Sequence, residues 1–210
     1  MNIKIGPKSD GEIRAIADSF RRKHLEIDKQ IPPIDPLFIA EIKLKIDPIP
    51  LPGLFKDLDI DAALLPDLSG IYVDEDAYIA WEAERPPWVE RRLRFSIAHE
   101  LGHIEMHGEI IRQCSFSSPA EFKQWALNGD AYSSAEYQAN EFAGRLLVPL
   151  DVLQDEFLLF AKRAESFDSG WRGIPGIRQY AAEQLAPRFG VNWQVISKRL
   201  HKEGLWPESE

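Results

Sequence analysis

Residues 99–103 read His-Glu-Leu-Gly-His, and two imidazoles four positions apart act together only if the backbone between them is helical. On a helix, positions i and i+4 stack on one face, about 6 Å apart along the axis. Both can then reach one ion that accepts nitrogen at about 2.0–2.1 Å, as Zn²⁺ does. Glu100 is turned about 100° from His99. It can therefore flank such an ion without binding it and take a proton from water there. The chain must build an unbroken helix through this segment and bring a further donor to it. The run from Val89 to Ala98 contains neither Gly nor Pro, and Val89, Leu93, Ile97, Leu101 and Ile104 form an apolar stripe at helical spacing. Gly108, directly after His107, reads as the helix stop.

A catalytic zinc site needs a third protein ligand and an open fourth position. His107 extends the series His99, His103 on one face, but eight residues of helix put it about 12 Å from His99, too far to share an ion. It reads instead as a helix-end residue or a group at the rim of a cleft. Glu136 is the better candidate. Ser134 reads as an N-cap, and Ala139, Phe142, Ala143, Leu146 and Leu147 form an inward stripe. Glu136 and Asn140 share a face at i and i+4, so Glu136 can ligate while Asn140 bonds the outer nitrogen of a ligand imidazole.

These residues resemble a known group. His99-Glu100-Leu101-Gly102-His103, then Glu136, Ala139, Asn140, Phe142 and Ala143, then Leu146-Leu147-Val148-Pro149, look like the ImmA/IrrE zinc metallopeptidases. Arg92 to Ala98 and Leu68-Ser69-Gly70 resemble that group as well. The resemblance spans residues 10 to 160. It implies a gluzincin-like centre with Zn²⁺ on His99, His103 and Glu136 and with Glu100 as base. It further implies a cytoplasmic peptidase that cuts a DNA-binding repressor, a helix-turn-helix protein. The stretch between His103 and Glu136 is long for the group, so an added helix is expected to border the cleft.

Composition is compatible with such an enzyme. Of the 210 residues 44% are hydrophobic, enough for a proper core in one or two domains. Cys114 is the single cysteine, which excludes an intrachain disulfide and fits a reducing compartment. It reads as an ordinary loop thiol rather than an inhibitory zinc ligand. No run of 18 apolar residues and no signal-peptide pattern is present, so neither a membrane span nor export is expected. The net charge of −9 argues against general nucleic-acid binding.

Hydropathy patterning predicts α+β architecture, with helices around a small, mainly antiparallel sheet. A first amphipathic helix ends near His24, and Asp35-Pro36 opens a second through Lys43. Residues 46–51 are proline-broken and read as a ragged edge strand at most. Residues 62–65, 70–73 and 77–81 read as strands, with Asp74-Glu75-Asp76 as the turn between the last two. The strand from Tyr78 to Trp81 reads either as a place where substrate adds a strand or as ordinary sheet. Ser118 to Gly129 carries the marks of a helix, and Leu150 to Ser166 those of another. Two units are expected, a zincin-like domain over 1–165 and a C-terminal helical segment over 166–210. In the latter, Ala186, Gly190 and Ile196 sit at helix-turn-helix spacing, and residues 178–202 carry five cations against Glu183 alone. Pro187 argues against a clean first helix. The segment reads mainly as a packing or docking element and secondarily as a DNA contact.

The chemistry that follows is peptide hydrolysis by zinc-activated water, with Glu100 carrying the proton. Tyr72, Tyr132, Tyr137 and His107 stay open as oxyanion stabilisers, and Tyr78 as a further cleft residue. The rival readings are a zinc-bound sensor that sequesters a repressor without cutting it, and a structural zinc protein.

Overall fold

Residues Pro87–Ile111 form one helix of 25 residues, and the other elements are arranged around it. The computed structural model describes residues 5–65, 67–82, 87–112 and 130–206, and the side chains of 82, 87–88 and 130–133 lie outside the description. Cys114, the helix expected over 118–129 and the side chain of Tyr132 are thus outside the described residues. In chain order the elements are α1 (Asp10–His24), α2 (Pro36–Phe38) running into a π-helical stretch (Ile39–Leu44), β1 (Asp47–Leu51) and α3 (Leu54–Leu58). Then come β2 (Ala62–Leu64), β3 (Gly70–Asp74), α4 (Glu75–Glu82) and α5 (Pro87–Ile111). The C-terminal half contributes α6 (Asp130–Leu147), α7 (Leu150–Phe167), α8 (Ile177–Phe189) and α9 (Trp193–Lys202). No helix among the described residues is long and apolar enough to cross a membrane.

The core forms where α5 and α6 cross. Leu93, Ile97 and Leu101 from α5 meet Phe142, Ala143, Leu146 and Leu147 from α6, all fully buried. Each such large apolar side chain contributes about 1.5–3 kcal/mol by leaving water. Gly102 sets how closely the two backbones approach. A Cβ there would stand 3.0 Å from Phe142 Cδ1 and 3.2 Å from Ala139 Cα. Any larger residue would push α6, and everything it carries, away from α5. Phe20 of α1 covers the other side of Phe142 in an edge contact with ring centroids 5.3 Å apart.

The α+β class holds, but the sheet is mixed rather than mainly antiparallel. Its order is β1-β3-β2, with β1 parallel to β3 and β2 antiparallel to it. The intervening α3 and β2 carry the chain back, as a parallel pairing requires. The proline-broken segment is indeed an edge strand, where Pro48 and Pro50 cost little.

Four local expectations need correction. Residues 77–81 are helical, not a strand. Asp74 is no turn residue but accepts the Ala77 N–H at 3.0 Å, capping α4, and Glu75 and Asp76 suit its positive end. A short apolar run carries no period to tell strand from helix. The second helix is α-helical only over Pro36–Phe38 before it widens. Helix α6 begins at Asp130, so Ser134 is an interior residue whose hydroxyl accepts from Gln138 Nε2 at 3.1 Å. Helix α5 continues past Gly108, where a Cβ would lie 3.3 Å from Leu68 Cδ1; the glycine serves a close approach rather than a stop.

Candidate metal centre

Successive turns of α5 present His99 and His103, and successive turns of α6 present Glu136 and Asn140 towards them. His103 Nε2 lies 2.8 Å from Glu136 Oε1, and His99 Nε2 lies 3.1 Å from Glu136 Oε2. The two Nε2 atoms are 2.9 Å apart. One donor atom from each of these three residues falls within 4.8 Å of the others. Donors around a tetrahedral zinc stand about 3.3 Å from one another, so the three side chains are already near the span such an ion requires. His103 is 7% exposed, while His99 and Glu136 keep 13% and 26%, so the centre meets solvent on the His99–Glu136 side.

The outer ring nitrogens determine where the protons sit. His99 Nδ1 faces the Asn140 Oδ1 at 3.2 Å. An amide oxygen only accepts, so Nδ1 carries the proton and the lone pair of a neutral ring points inward from Nε2. With both rings neutral, two imidazole nitrogens and a carboxylate face one another, an arrangement that attracts positive charge, whether a proton or a metal ion. The electrostatics agree. Burial would push the His99 imidazole down, but its hydrogen bond to Glu136 and the charges of Glu100 and Glu136 outweigh it and hold it above its ordinary value. Burial likewise works to raise Glu136, yet the imidazoles of His103 and His99 against it favour the ionised form and hold its carboxyl well below the usual carboxylate range. The donor set therefore fits a divalent metal of the zinc type.

Glu100 is buried beside this cluster and is not among its donors. Its Oε2 accepts the Leu64 N–H at 3.0 Å, so the outer edge of β2 borders the carboxylate. Burial pushes the Glu100 carboxyl up, against the pull of His103 and His99.

His107 is neither a helix-end group nor a rim residue. It is 2% exposed, and its Nδ1 lies 3.1 Å from His103 Nδ1 while its Nε2 lies 3.2 Å from Gln138 Oε1. Burial and the nearby His103 push its pKa down to about 4. It lies outside the donor group of His99, His103 and Glu136, and helical spacing puts it one turn from His103. Gln138 escaped the sequence reading altogether. Its only signal was a place two residues after Glu136.

The tyrosines are scattered. Tyr72 sits in the middle strand opposite Ile49 and Ala63, on the face away from buried Ile71 and Val73. Tyr78 lies on α4, packed against the core. Tyr137, 100° round the helix from Glu136, donates its hydroxyl to Asp10 Oδ1 at 2.7 Å and accepts from Lys202.

The cations of the C-terminal segment are engaged within the chain. Arg188 bonds Glu156 and the Pro32 carbonyl, Arg199 bonds Glu203, and Lys198 and Lys202 both reach Glu141. Pro187 is accommodated in the last turn of α8, which ends at Phe189 with Gly190 left-handed at φ 62°.

The family model for peptidase M78, the IrrE N-terminal-like domain, matches residues 90–201, more than half of the chain and reaching from α5 into α9. Comparison with curated proteins finds no match.

Proposed function

The chain belongs to the IrrE N-terminal-like family of M78 peptidases, and from that premise we propose that it is a zinc-dependent endopeptidase acting on a protein partner. The observation that carries this reading is the convergence of His99, His103 and Glu136, within 4.8 Å of one another, next to a buried carboxylate that takes no part in the cluster. In the proposal the first three hold the metal and Asn140 orients His99. A bound zinc supplies Lewis acidity, which acidifies water and polarises a carbonyl. Three protein ligands favour a catalytic over a structural role, since closed structural sites usually supply four.

Glu100 is the proton carrier. It accepts a proton from water and delivers it to the leaving amine. Burial disfavours the charged form of Glu100, which suits a group that takes up a proton. The Leu64 N–H occupies one oxygen and fixes the carboxylate's orientation, leaving the other oxygen for water. The same contact places the outer edge of β2 beside the base. An extended peptide added to that edge would bring its backbone to Glu100, which replaces the segment 78–81 as the proposed binding strand. The substrate we propose is a helix-turn-helix repressor, as the resemblance of the motifs implies, in a cytoplasmic setting.

Glu100→Gln tests the reading. The amide is nearly isosteric but cannot take the proton, so metal content and melting should match wild type while cleavage of a co-expressed repressor falls about 10²–10⁴-fold. Retained cleavage by the fully metallated variant overturns the base assignment. If wild type cuts nothing and both forms relieve repression equally, sequestration is the activity.

A further inference from the structure

His103 differs from His99 in what stands behind it. Asn140 supports His99 directly. Behind His103 a second imidazole intervenes, and the direction of its hydrogen bonds can be worked out from the far end. Gln138 Nε2 lies 3.0 Å from the Gly6 carbonyl and 3.1 Å from the Ser134 hydroxyl. A backbone carbonyl can only accept, so the amide nitrogen must be the group that faces it. Gln138 Oε1 is thereby turned to His107 Nε2 at 3.2 Å, and that nitrogen must carry a proton to donate. In a neutral ring this leaves His107 Nδ1 bare. At 3.1 Å from His103 Nδ1 it can only accept, so the His103 proton sits on Nδ1 and its Nε2 lone pair points at Glu136 and His99.

We propose that His107 and Gln138 are positioning residues of the metal centre, a polar chain anchored on the Gly6 carbonyl that fixes the tautomer and the orientation of His103. The inference rests on the reading of His103 as a metal ligand. A ligand imidazole ordinarily donates its outer N–H to a carboxylate, carbonyl or water; here a neutral imidazole takes that place. The chain also ties the segment before α1 to the centre, through a contact spanning residues 6 to 138.

Three variants and one spectroscopic measurement test it. His107→Phe fills the site but offers no acceptor. Metal-free thermal melting should show a folded protein, and zinc affinity, measured by competition with a chromogenic chelator, should fall 10–100-fold. His107→Asn places an amide oxygen where Nδ1 stood and should keep affinity within a few-fold of wild type. Gln138→Leu should weaken zinc binding less than His107→Phe, because it frees the His107 tautomer without removing the ring. Long-range ¹H–¹⁵N spectra of wild type should show His103 protonated at Nδ1 with and without zinc. A neutral His103 protonated at Nε2 alone, or His107→Phe binding zinc as tightly as wild type, overturns the proposal. Wild type that takes up no zinc overturns the metal-centre reading instead, and the His103 tautomer in the metal-free protein still decides whether the chain runs as described.

Discussion

Helix α6 carries two buried polar clusters on adjacent faces, and they are built on opposite principles. On one face Glu136 and Asn140 meet His99 and His103, where lone pairs and a carboxylate converge without enough positive charge among them. On the next, Glu141 and Arg145 join a network with Asp10 and Arg14 of α1, Lys198, Arg199 and Lys202 of α9, and Glu203 just beyond it. There every charge faces an opposite one. Arg145 Nη1 lies 2.9 Å from Glu203 Oε1, and Arg199 Nη1 lies 2.6 Å from the same atom. Lys202 Nζ reaches Glu141 Oε1 at 2.8 Å. In the proposed function the first cluster is completed by a cation from outside; the second is complete in itself. A buried polar group therefore points to a binding site when its neighbours offer lone pairs rather than an opposite charge, and to a structural clamp when opposite charges answer it.

The comparison breaks if the clamp proves dispensable. Glu203 is the residue to change, since its side chain is 2% exposed and it answers Arg14, Arg145 and Arg199 at once. Removing one partner of a buried ion pair costs about 3–5 kcal/mol, because the remaining charges stay buried without compensation. For a chain of this size that is a drop in Tm of about 6–20 °C. Glu203→Ala should show it in a thermal melt while zinc content stays at the wild-type level. A variant that melts like wild type would mean that the clamp contributes nothing net.

The converse change belongs to the other face. Glu136→Ala should lower zinc affinity by more than about 100-fold, beyond the range for groups that only support a ligand. Without metal, the variant should fall below metal-free wild type by less than Glu203→Ala falls below wild type, because it loses contacts to two imidazoles and leaves no buried guanidinium unpaired. Zinc at one hundred times its Kd adds about 2.7 kcal/mol to wild type, and the variant should gain nothing from it. A chelator would therefore lower the wild-type Tm and leave that of the variant unmoved. If metal-free Glu136→Ala instead unfolds as Glu203→Ala does, the two faces are alike and both are structural.

How far the two clusters could be read in advance differs for the same physical reason. His99, His103, Glu136 and Asn140 sit in pairs at i and i+4, so helical geometry alone puts each pair on one face, and only the crossing of α5 with α6 had to be supplied. Gly102 marks that crossing. The clamp draws two residues or more from each of three helices, and its i,i+4 pairs, Glu141 with Arg145 and Arg199 with Glu203, are of a kind common on solvated helix faces and announce no remote partner. The C-terminal surplus of cations does not show its partners in the sequence; Arg188, Lys198, Arg199 and Lys202 meet acceptors inside the chain. The link from Gly6 to Gln138 was hidden in the same way. Helix α4 was misread for another reason: five consecutive apolar or small residues have no period, and the cap on Asp74 decided the outcome.

The smallest effect sharpens the comparison at its outer edge. Lys198 bonds Glu141 at 3.1 Å, but its own side chain is 53% exposed. Glu141, at 3% exposed, keeps Lys202 at 2.8 Å and Arg145 at 3.5 Å whatever happens to Lys198. An exposed partner gains little, since water competes for the ammonium and holding the long side chain costs entropy; such pairs are worth about 0.2–1 kcal/mol. Lys198→Ala should therefore cost at most about 1 kcal/mol, a shift of about 2–4 °C or less in Tm, and the shift should shrink further in high salt. The same variant separates the two readings of α9. If the helix only packs, affinity for duplex DNA by fluorescence anisotropy should be weak and the same with Lys or Ala at 198. If Lys198 instead contacts phosphate, the variant should bind more weakly on every sequence and with a salt slope reduced by about one.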